Sequence, residues 1–485
     1  MKKKKVFNIV SIPFKIVLVL LMAYGIYEYF DNVFAVKNVD RAETFHNFPA
    51  ESLDAVVLGS SHAQYSFIPS VFYDETGLYS IVMGSACQPL EVSYQMLREI
   101  LKTQKPSFVI LETYTAMPLR EICEADVCYV KAQYMMTGEE KYNTINYLPH
   151  EKAISYYNEF INNHNNWRYI SSLDDFKIDV KKGIDLSHVD SSMGYIEQFP
   201  ELPVENYWYS NYYDEYDDVK LDDLDLESLN NIFELCKDND IQLILYKTPI
   251  DGIDQNNYNY LNQVWKWCSE NGIPYIDMIA LQDEIDFRMV SHSDSYHCNI
   301  VGANTITTKI SDYIKENYLN KNYVTNHSDN GDIDKIYEHD LDGKALHVFE
   351  FDRNVYRALS RIKNANLTLI VKYKPGLQME SRLKDTLIDL GVSEKFDLEK
   401  EYFAIIKNGE LLVDSFDETP IQINVDGKDL YIDSDDIYIG EESMGAKGNL
   451  SIGLAYNNLD GFYVKNIDIN GYPWELGYDY FIKNN

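Results

Sequence analysis

The chain has 485 residues, and its 43 lysines and arginines against 77 aspartates and glutamates give a formal charge of −34. This length suggests two or three domains, each large enough to bury a hydrophobic core. The acidity, with the only basic cluster at the N-terminus, argues against nucleic acid as a ligand and favours a neutral polymer over an anionic one. The six cysteines lack metal-ligand spacing, so we expect neither a metal nor a cofactor.

The N-terminus predicts a membrane anchor. Lys2 to Lys5 form a basic cluster, and Val6 to Phe30 is largely apolar, with an uninterrupted apolar run from Ile16 to Ile26. A span of about 20–25 residues can cross a bilayer, and the positive-inside rule leaves the lysines in the cytoplasm. A cleaved signal peptide is the alternative, although no small-residue cleavage site ends the run. Residues 1–33 are therefore predicted to be a cytoplasmic tail and a single transmembrane helix, with the remaining chain extracellular.

A short strand followed by a serine-rich turn comes next. Asp54 to Leu58 predicts a buried parallel strand, and Gly59-Ser60-Ser61-His62 follows it directly. The carboxyl ends of such strands are where α/β folds place their ligands. Ser61 is the predicted nucleophile and Ser60 the fallback, whereas His62 is expected to line the substrate pocket rather than act as a base. The alternative is that the serines only cap a helix.

Two more strands and a helix continue the alternation. Ser80 to Gly84 predicts the second strand, Val92 to Thr103 a helix, and Ser107 to Glu112 the third strand. Gln88 follows the second strand and Glu112 ends the third, so both are predicted to lie with His62 in the substrate pocket.

A stretch rich in tyrosine, asparagine and tryptophan interrupts this pattern between residues 139 and 223. It is predicted to be an insertion above the carboxyl edge of the sheet. Its aromatic side chains either stack on sugar rings or simply pack the insertion itself, and they include Trp167, Tyr207, Trp208, Tyr209, Tyr212 and Tyr213.

The alternation resumes after residue 226, with helices over 228–239, 260–270 and 302–318 and strands over 241–246 and 273–278. This order predicts a doubly wound parallel sheet. Asp294 and His297 precede the last helix. A serine nucleophile needs a base and a carboxylate that orients the base, and this pair supplies both for Ser61. Asp277 is a second candidate carboxylate, although a helix-capping role suits it better.

The segments Gly59-Ser60-Ser61 and Asp294-Ser295-Tyr296-His297 resemble the motif blocks of the SGNH (GDSL-like) hydrolase and acyltransferase superfamily, whose sheet is flavodoxin-like. The resemblance implies catalysis by Ser61, Asp294 and His297, with the backbone N–H groups of Ser61 and Gly84 as oxyanion donors. Two positions depart from the family pattern. Ser60 replaces an Asp, and Glu112-Thr113-Tyr114 replaces a Gly-x-Asn-Asp block, which leaves the third oxyanion donor unassigned.

Gly-Ser-Ser variants occur in the membrane-anchored branch of that superfamily, which acylates cell-envelope polymers. The resemblance therefore implies an extracytoplasmic O-acetyltransferase that acts on a cell-surface polysaccharide through an acyl-Ser61 intermediate. A polytopic membrane acyltransferase would then be the partner that supplies the acyl group. The alternatives are a carbohydrate esterase of the same fold and a non-catalytic glycan-binding or assembly protein.

The C-terminal part is predicted to be a linker over 321–340 and an accessory domain over 341–485. Strands are expected over 345–351, 367–373 and 402–407 and a helix over 381–390, an order that resembles the interleukin-like EMT-inducer domain. Residues 421–482 alternate as short strands with turns, which predicts a β-sandwich-like end.

The cysteines allow a single local disulfide. Cys123 and Cys128 are close enough in sequence to form one in an oxidising compartment, with a pair of free thiols as the alternative. The other four cysteines fall in or beside predicted core elements and are expected to be buried thiols: Cys87, Cys236, Cys268 and Cys298.

Overall fold

The computed structural model of the protein describes residues 2–34, 40–116, 129, 132, 135–157, 186, 189–199, 217–250, 253–285, 287, 291–294, 296–319, 325, 330–377 and 381–467. Within these residues the chain forms one parallel sheet of five strands and two antiparallel sheets of four and five strands. Helices cover both faces of the parallel sheet.

The parallel sheet consists of β1 (Ala55–Leu58), β2 (Ser80–Val82), β3 (Phe108–Glu112), β4 (Gln242–Lys247) and β5 (Tyr275–Asp277), in the order β2-β1-β3-β4-β5. Its central strands are buried on both sides, as expected for apolar runs in a parallel sheet. The strand order reverses between β1 and β3, and ligands of open α/β sheets bind at such a switch point. The segment after β1 carries Ser61.

Ten helices described in this part of the chain are α1 (Lys2–Phe34), α2 (Asp40–Asn47), α3 (Ser61–Ser66), α4 (Pro69–Thr76), α5 (Leu90–Ile100), α6 (Gly138–Asn146), α7 (His150–Tyr156), α8 (Asp223–Asp238), α9 (Gln255–Asn271) and α10 (Ile300–Asn317). Apolar side chains of α5 and α8 pack on one face of the sheet. Those of α3, α4 and α10 pack on the other.

The predicted fold class is wrong in its N-terminal transmembrane helix. Residues Lys2–Phe34 form α1, but no helix in the described part of the chain is long and apolar enough to cross a membrane. The uninterrupted apolar run from Ile16 to Ile26 covers only about half of the ~20 residues that a crossing requires. Pro13 and Lys15 interrupt the pattern just before it.

The five strands of the parallel sheet all overlap the predicted ones, whereas four helices begin earlier than predicted, and three of these begin at a capping side chain. The side chains of Asp222, Asp254 and Asn299 each accept a backbone N–H of the following first turn and start α8, α9 and α10. Apolar periodicity alone does not mark where a helix begins, because the capping side chain that satisfies the first backbone N–H groups is polar and lies outside the apolar pattern.

The C-terminal half begins with α11 (Gly331–Phe351) and α12 (Val355–Ser360) and also contains α13 (Ser381–Asp389). Its strands are β6 (Leu367–Tyr373), β7 (Tyr402–Lys407), β8 (Glu410–Phe416), β9 (Ile421–Val425), β10 (Lys428–Ile432), β11 (Ile437–Ile439), β12 (Glu442–Ser443), β13 (Leu450–Tyr456) and β14 (Tyr463–Ile467). The orders β14-β13-β6-β7-β8 and β12-β11-β10-β9 define two antiparallel sheets. One apolar core joins residues of both sheets, and a second lies between the larger sheet and the helices.

The strand predicted over 345–351 is wrong, because these residues form the last two turns of α11. The buried side chains Ile333, Tyr337, Leu341, Ala345 and Phe349 recur every four residues, which is a helical period. Polar residues separate the first of these buried side chains, and the sequence of the N-terminal half of α11 therefore resembles a linker.

Helix α11 crosses the predicted boundary at residue 340 and packs against the parallel-sheet half. The hydroxyl of Tyr337 donates to Ser80 O at 2.7 Å and accepts Ser80 N–H at 2.9 Å, at the start of β2. The Ser70 hydroxyl on α4 donates to Asp340 at 2.6 Å. The two halves therefore share a buried polar contact along α11.

Candidate active site

Ser61 and Asp294 each lie within hydrogen-bond distance of His297, although 236 residues separate Ser61 from His297 in sequence. The Oγ of Ser61 is 2.9 Å from Nε2 of His297, and Nδ1 of His297 is 2.8 Å from Oδ2 of Asp294. A carboxylate only accepts, so Nδ1 carries the proton and Nε2 accepts from the Ser61 hydroxyl. This is the arrangement that a serine nucleophile requires.

The turn before Ser61 depends on a glycine. Gly59 has a φ of +137°, and a Cβ at this position would lie 2.7 Å from Cβ of Glu112 on β3. The turn therefore fits between β1 and β3 only without a side chain at residue 59. Ser60 then caps α3 by accepting the N–H of His62, and Ser61 is the first residue of the helix.

The loop that carries Asp294 and His297 is attached to the start of α10. Asn299 accepts the N–H groups of Val301 and Gly302, and its amide donates to His292 O at 2.9 Å. Ser293 N–H donates to His297 O at 2.9 Å, which closes the loop. A Cβ on Gly302 would lie 2.2 Å from Ser291 O, so a glycine is required for this close approach.

Asp294 is held ionised and oriented by three donors. Its Oδ1 accepts the backbone N–H groups of Tyr296 at 2.7 Å and His297 at 2.8 Å, while Oδ2 accepts from the imidazole. Burial alone would raise the pKa of Asp294, but these hydrogen bonds outweigh burial and hold the pKa below its ordinary value. The side chains remain accessible, with 54% of Asp294 and 25% of His297 exposed.

Gly84 lies against the nucleophile turn, where the resemblance places an oxyanion donor. A Cβ on Gly84 would be 2.8 Å from Gly59 O and 3.0 Å from Ser60 O. Neither Gly84 nor Ser61 donates its backbone N–H to another group within the described residues. Both N–H groups are thus available to a ligand beside Ser61, as oxyanion stabilisation requires.

Ser60, the fallback nucleophile, is fully buried and engaged. Its hydroxyl donates to Oε2 of Glu112 at 2.9 Å and accepts His62 N–H at 3.1 Å. It lies beside Ser61 in sequence, but no histidine ring contacts its hydroxyl in the described residues, and its hydroxyl proton points at the buried carboxylate of Glu112. Of the two serines, only Ser61 contacts His297 within these residues.

The three predicted pocket residues are all buried. His62 is 2% exposed, its Nδ1 is 2.9 Å from the Thr248 hydroxyl, and its ring stacks on Tyr114 with centroids 3.7 Å apart. Burial first, and then the charge of His297, hold the pKa of His62 well below its ordinary value. A neutral ring packed in this way lines the site and is not placed to act as a base.

Gln88 and Glu112 present no surface to a substrate, because neither side chain is exposed. Gln88 accepts from the Ser85 hydroxyl and donates to the Ser93 hydroxyl, both at 3.0 Å. It therefore braces the segment after β2 from within. Asp277, the second candidate carboxylate, caps the turn after β5 and pairs with Lys247 at 2.8 Å.

Two features of the site were not predicted from the sequence. Arg41 on α2 donates to the carbonyl oxygen of Gly84, and the ring of Tyr65 lies 4.6 Å from that of His297. Tyr65 follows Ser61 by one helical turn, so its placement was available from the spacing. Arg41 lies in a segment without periodicity, between the predicted anchor and β1, where nothing in the sequence indicates a partner.

The cysteine predictions have separate outcomes. Cys87 is disulfide-bonded, so its prediction as a buried thiol is wrong, and its partner lies outside the described residues. Cys236, Cys268 and Cys298 are buried free thiols, as predicted. The predicted bridge between Cys123 and Cys128 falls on residues outside the described part of the chain.

The aromatic residues predicted to bind sugar lie outside the described residues, so this prediction stays a prediction. Two cavities lie away from the triad. One of about 350 Å³ borders Trp267 between α8 and α9, and one of about 500 Å³ lies beside Tyr431 and Tyr438 on the four-stranded sheet. No group of three or more His, Cys, Asp or Glu side chains suited to a metal occurs among the residues described.

No protein-family model matches the chain, and a search of curated proteins finds no match.

Proposed function

We propose that the protein is a serine acyl-transfer enzyme of the SGNH type, and that it transfers an acetyl group to a cell-surface polysaccharide through an acyl-Ser61 intermediate. The observation that carries this proposal is the continuous chain of hydrogen bonds from Ser61 through His297 to Asp294. Its position at the switch point of the parallel sheet is a second support.

In the proposed reaction, Ser61 Oγ attacks the acyl carbonyl while Nε2 of His297 takes the hydroxyl proton. Asp294 stabilises the imidazolium that forms and keeps its ring in the required orientation. The backbone N–H groups of Ser61 and Gly84 donate to the oxygen that gains negative charge, and each such donor contributes about 2.7–4 kcal/mol in comparable enzymes. His297 then returns the proton to the leaving alcohol, and the acyl group stays on Ser61.

An oxidising compartment outside the cytoplasm is part of the proposal. The disulfide at Cys87 supports it, because disulfides persist in extracytoplasmic compartments and are rare in the cytosol. The charge of −34 supports a neutral glycan over a polyanion as the acceptor. The acyl-enzyme is discharged to a hydroxyl of this acceptor.

Hydrolysis is the competing outcome, and the exposure of the triad favours it. Water reaches His297 and Asp294 in the structure, since both side chains are partly exposed. A carbohydrate esterase would use the same acyl-Ser61 intermediate and the same base. The two activities differ only in whether a sugar hydroxyl or water takes the acyl group from Ser61.

The deciding experiment measures release of the phenol from an aryl acetate by the full-length protein, with and without neutral oligosaccharides. We expect turnover in the wild type, none in Ser61→Ala, and acetylated oligosaccharide as a product. Turnover that yields only acetate would identify an esterase. Glycan binding without any turnover would instead identify the non-catalytic alternative.

A further inference from the structure

The strongest unexplained feature of the site is a carboxylate buried directly behind the nucleophile. Glu112 ends β3 with no exposed surface, and neither its charge nor its contacts are used in the proposed reaction. Burying a carboxylate costs free energy unless hydrogen bonds compensate. Its partners therefore indicate what this residue does.

Each oxygen of Glu112 accepts a different donor. Oε1 accepts the backbone N–H of Tyr114 at 2.7 Å, and Oε2 accepts the hydroxyl of Ser60 at 2.9 Å. The first bond fixes the carboxylate to the end of its own strand. The second connects that strand to the nucleophile turn on β1, the neighbouring strand.

The bond to Glu112 also sets the orientation of the Ser60 hydroxyl. Because its proton points at Oε2, its lone pairs are free for the His62 N–H, which it accepts at 3.1 Å. The backbone of Ser61 lies between Ser60 and the His62 N–H that the Ser60 hydroxyl accepts. Behind it, Gly59 packs directly on the side chain of Glu112.

We propose that Glu112 is a positioning residue that holds Ser61 in reach of His297 through the hydroxyl of Ser60. The inference rests on the proposed function, since it concerns the same nucleophile. It also connects the two departures from the family pattern, because Ser60 and Glu112 occupy the two altered positions and contact each other. Ser60 follows β1 and Glu112 ends the adjacent strand β3, and their hydrogen bond makes them act together in positioning Ser61.

The test is the rate at which a fluorophosphonate probe labels Ser61 in the full-length protein. Glu112→Gln keeps the size of the side chain, but its single amide oxygen replaces two accepting oxygens. We expect a maximal labelling rate lowered by about tenfold or more, since small misplacements of a reacting group are costly. The probe concentration for half-maximal rate should change little, as probe binding is not affected.

Ser60→Ala and the double variant complete a mutant cycle. If Glu112 acts through Ser60, the double variant is no slower than the slower single variant, because both changes break the same contact. Glu91→Gln is the matched control. Glu91 on α5 is equally buried and accepts the Tyr129 hydroxyl at 2.6 Å. The probe should therefore label Ser61 of the Glu91→Gln variant at about the wild-type rate.

The outcomes separate this inference from the proposed function. Wild-type protein that is not labelled at Ser61 refutes the proposed function and the inference with it. Wild-type labelling together with an unchanged rate in Glu112→Gln, or with rate losses that multiply in the double variant, refutes the inference alone. The labelled fraction at long times reports folding, so a loss of folded protein is distinguished from slower labelling.

Discussion

At the scale of single residues, the site depends on where protons lie around His297. Asp294 accepts from Nδ1 of the ring, which leaves Nε2 free to accept from Ser61. The structure brings together the three residues that the two motif segments and the family resemblance singled out. Sequence spacing gave no account of the backbone N–H groups of Tyr296 and His297 that fix the carboxylate, because their placement depends on the shape of the loop.

Asp294→Asn tests this proton arrangement. The amide oxygen can still accept the two backbone N–H groups, so its NH2 group would then face Nδ1 and donate to it. The ring would adopt the opposite tautomer, with its proton on Nε2 and no acceptor for Ser61. We expect kcat for an aryl acetate to fall by roughly 10³–10⁴-fold, as in comparable triads. A fall of less than about tenfold would show that Asp294 does not set the tautomer.

The buried carboxyl group of Glu112 should make the free energy of unfolding depend on pH. Burial raises its pKa from 4.5 to about 7, although hydrogen bonds from Tyr114 and Ser60 oppose this. Because the folded-state pKa is the higher one, the stability that it contributes is present below pH 4.5 and is lost as the pH rises to about 7. The loss is on the order of 3 kcal/mol.

The measurement compares urea unfolding of the wild type and Glu112→Gln at several pH values. All other titrating groups are common to both proteins, including the neighbouring Tyr246, Tyr275 and Cys298. The wild type should therefore lose stability relative to the variant between about pH 4.5 and 7, and not above. A constant difference over this range would show that Glu112 does not titrate there.

At the scale of elements, the strands were predictable and the ends of the helices less so. Apolar runs identify β1 to β5, because a strand covered on both faces has no polar side to interrupt it. Helix α11 was missed as a whole, since its first half was predicted to be linker and Ala345 to Phe351 also suits a buried strand. Only the four-residue recurrence from Ile333 onward distinguishes the two.

Gly302→Ala tests the attachment of the catalytic loop to α10. The added Cβ would lie 2.2 Å from Ser291 O, so either the loop or the helix must move. We expect a loss of turnover of at least about tenfold, because Asp294 and His297 are carried by that loop. Gly343→Ala in α11 is the control, since its nearest neighbour is the Tyr456 hydroxyl at 3.4 Å. Similar turnover in both variants would contradict this account of the loop.

At the scale of the whole molecule, buried ion pairs join the two halves. Arg361, directly after α12, is 4% exposed and pairs with Asp74 at 3.1 Å and with Glu75, both on α4. No local pattern indicates this contact, because 287 residues separate Arg361 from Asp74. Long-range pairs of this kind follow from packing and not from local patterns.

Arg361→Ala should lower the free energy of unfolding by about 3–5 kcal/mol, because it leaves the buried carboxylate of Asp74 without its ion-pair partner, although Glu75 keeps its pair with Lys315. Lys220→Ala is the control, since Lys220 pairs with Asp223 in solvent and should change stability far less. Urea unfolding of both variants gives the two values. Equal effects would show that the contact between the halves is not stabilising.

The most direct test of the central claim is the mass of the protein after brief incubation with an acetyl donor. The account predicts one acetyl group on the wild type, found on the peptide that contains Ser61, and retained in Ser60→Ala. The adduct should be absent from Ser61→Ala and should form far more slowly when His297 is replaced by Gln, because the base that takes the Ser61 proton is then missing. An acetyl group on any other residue, or an adduct that Ser61→Ala still forms, would contradict it.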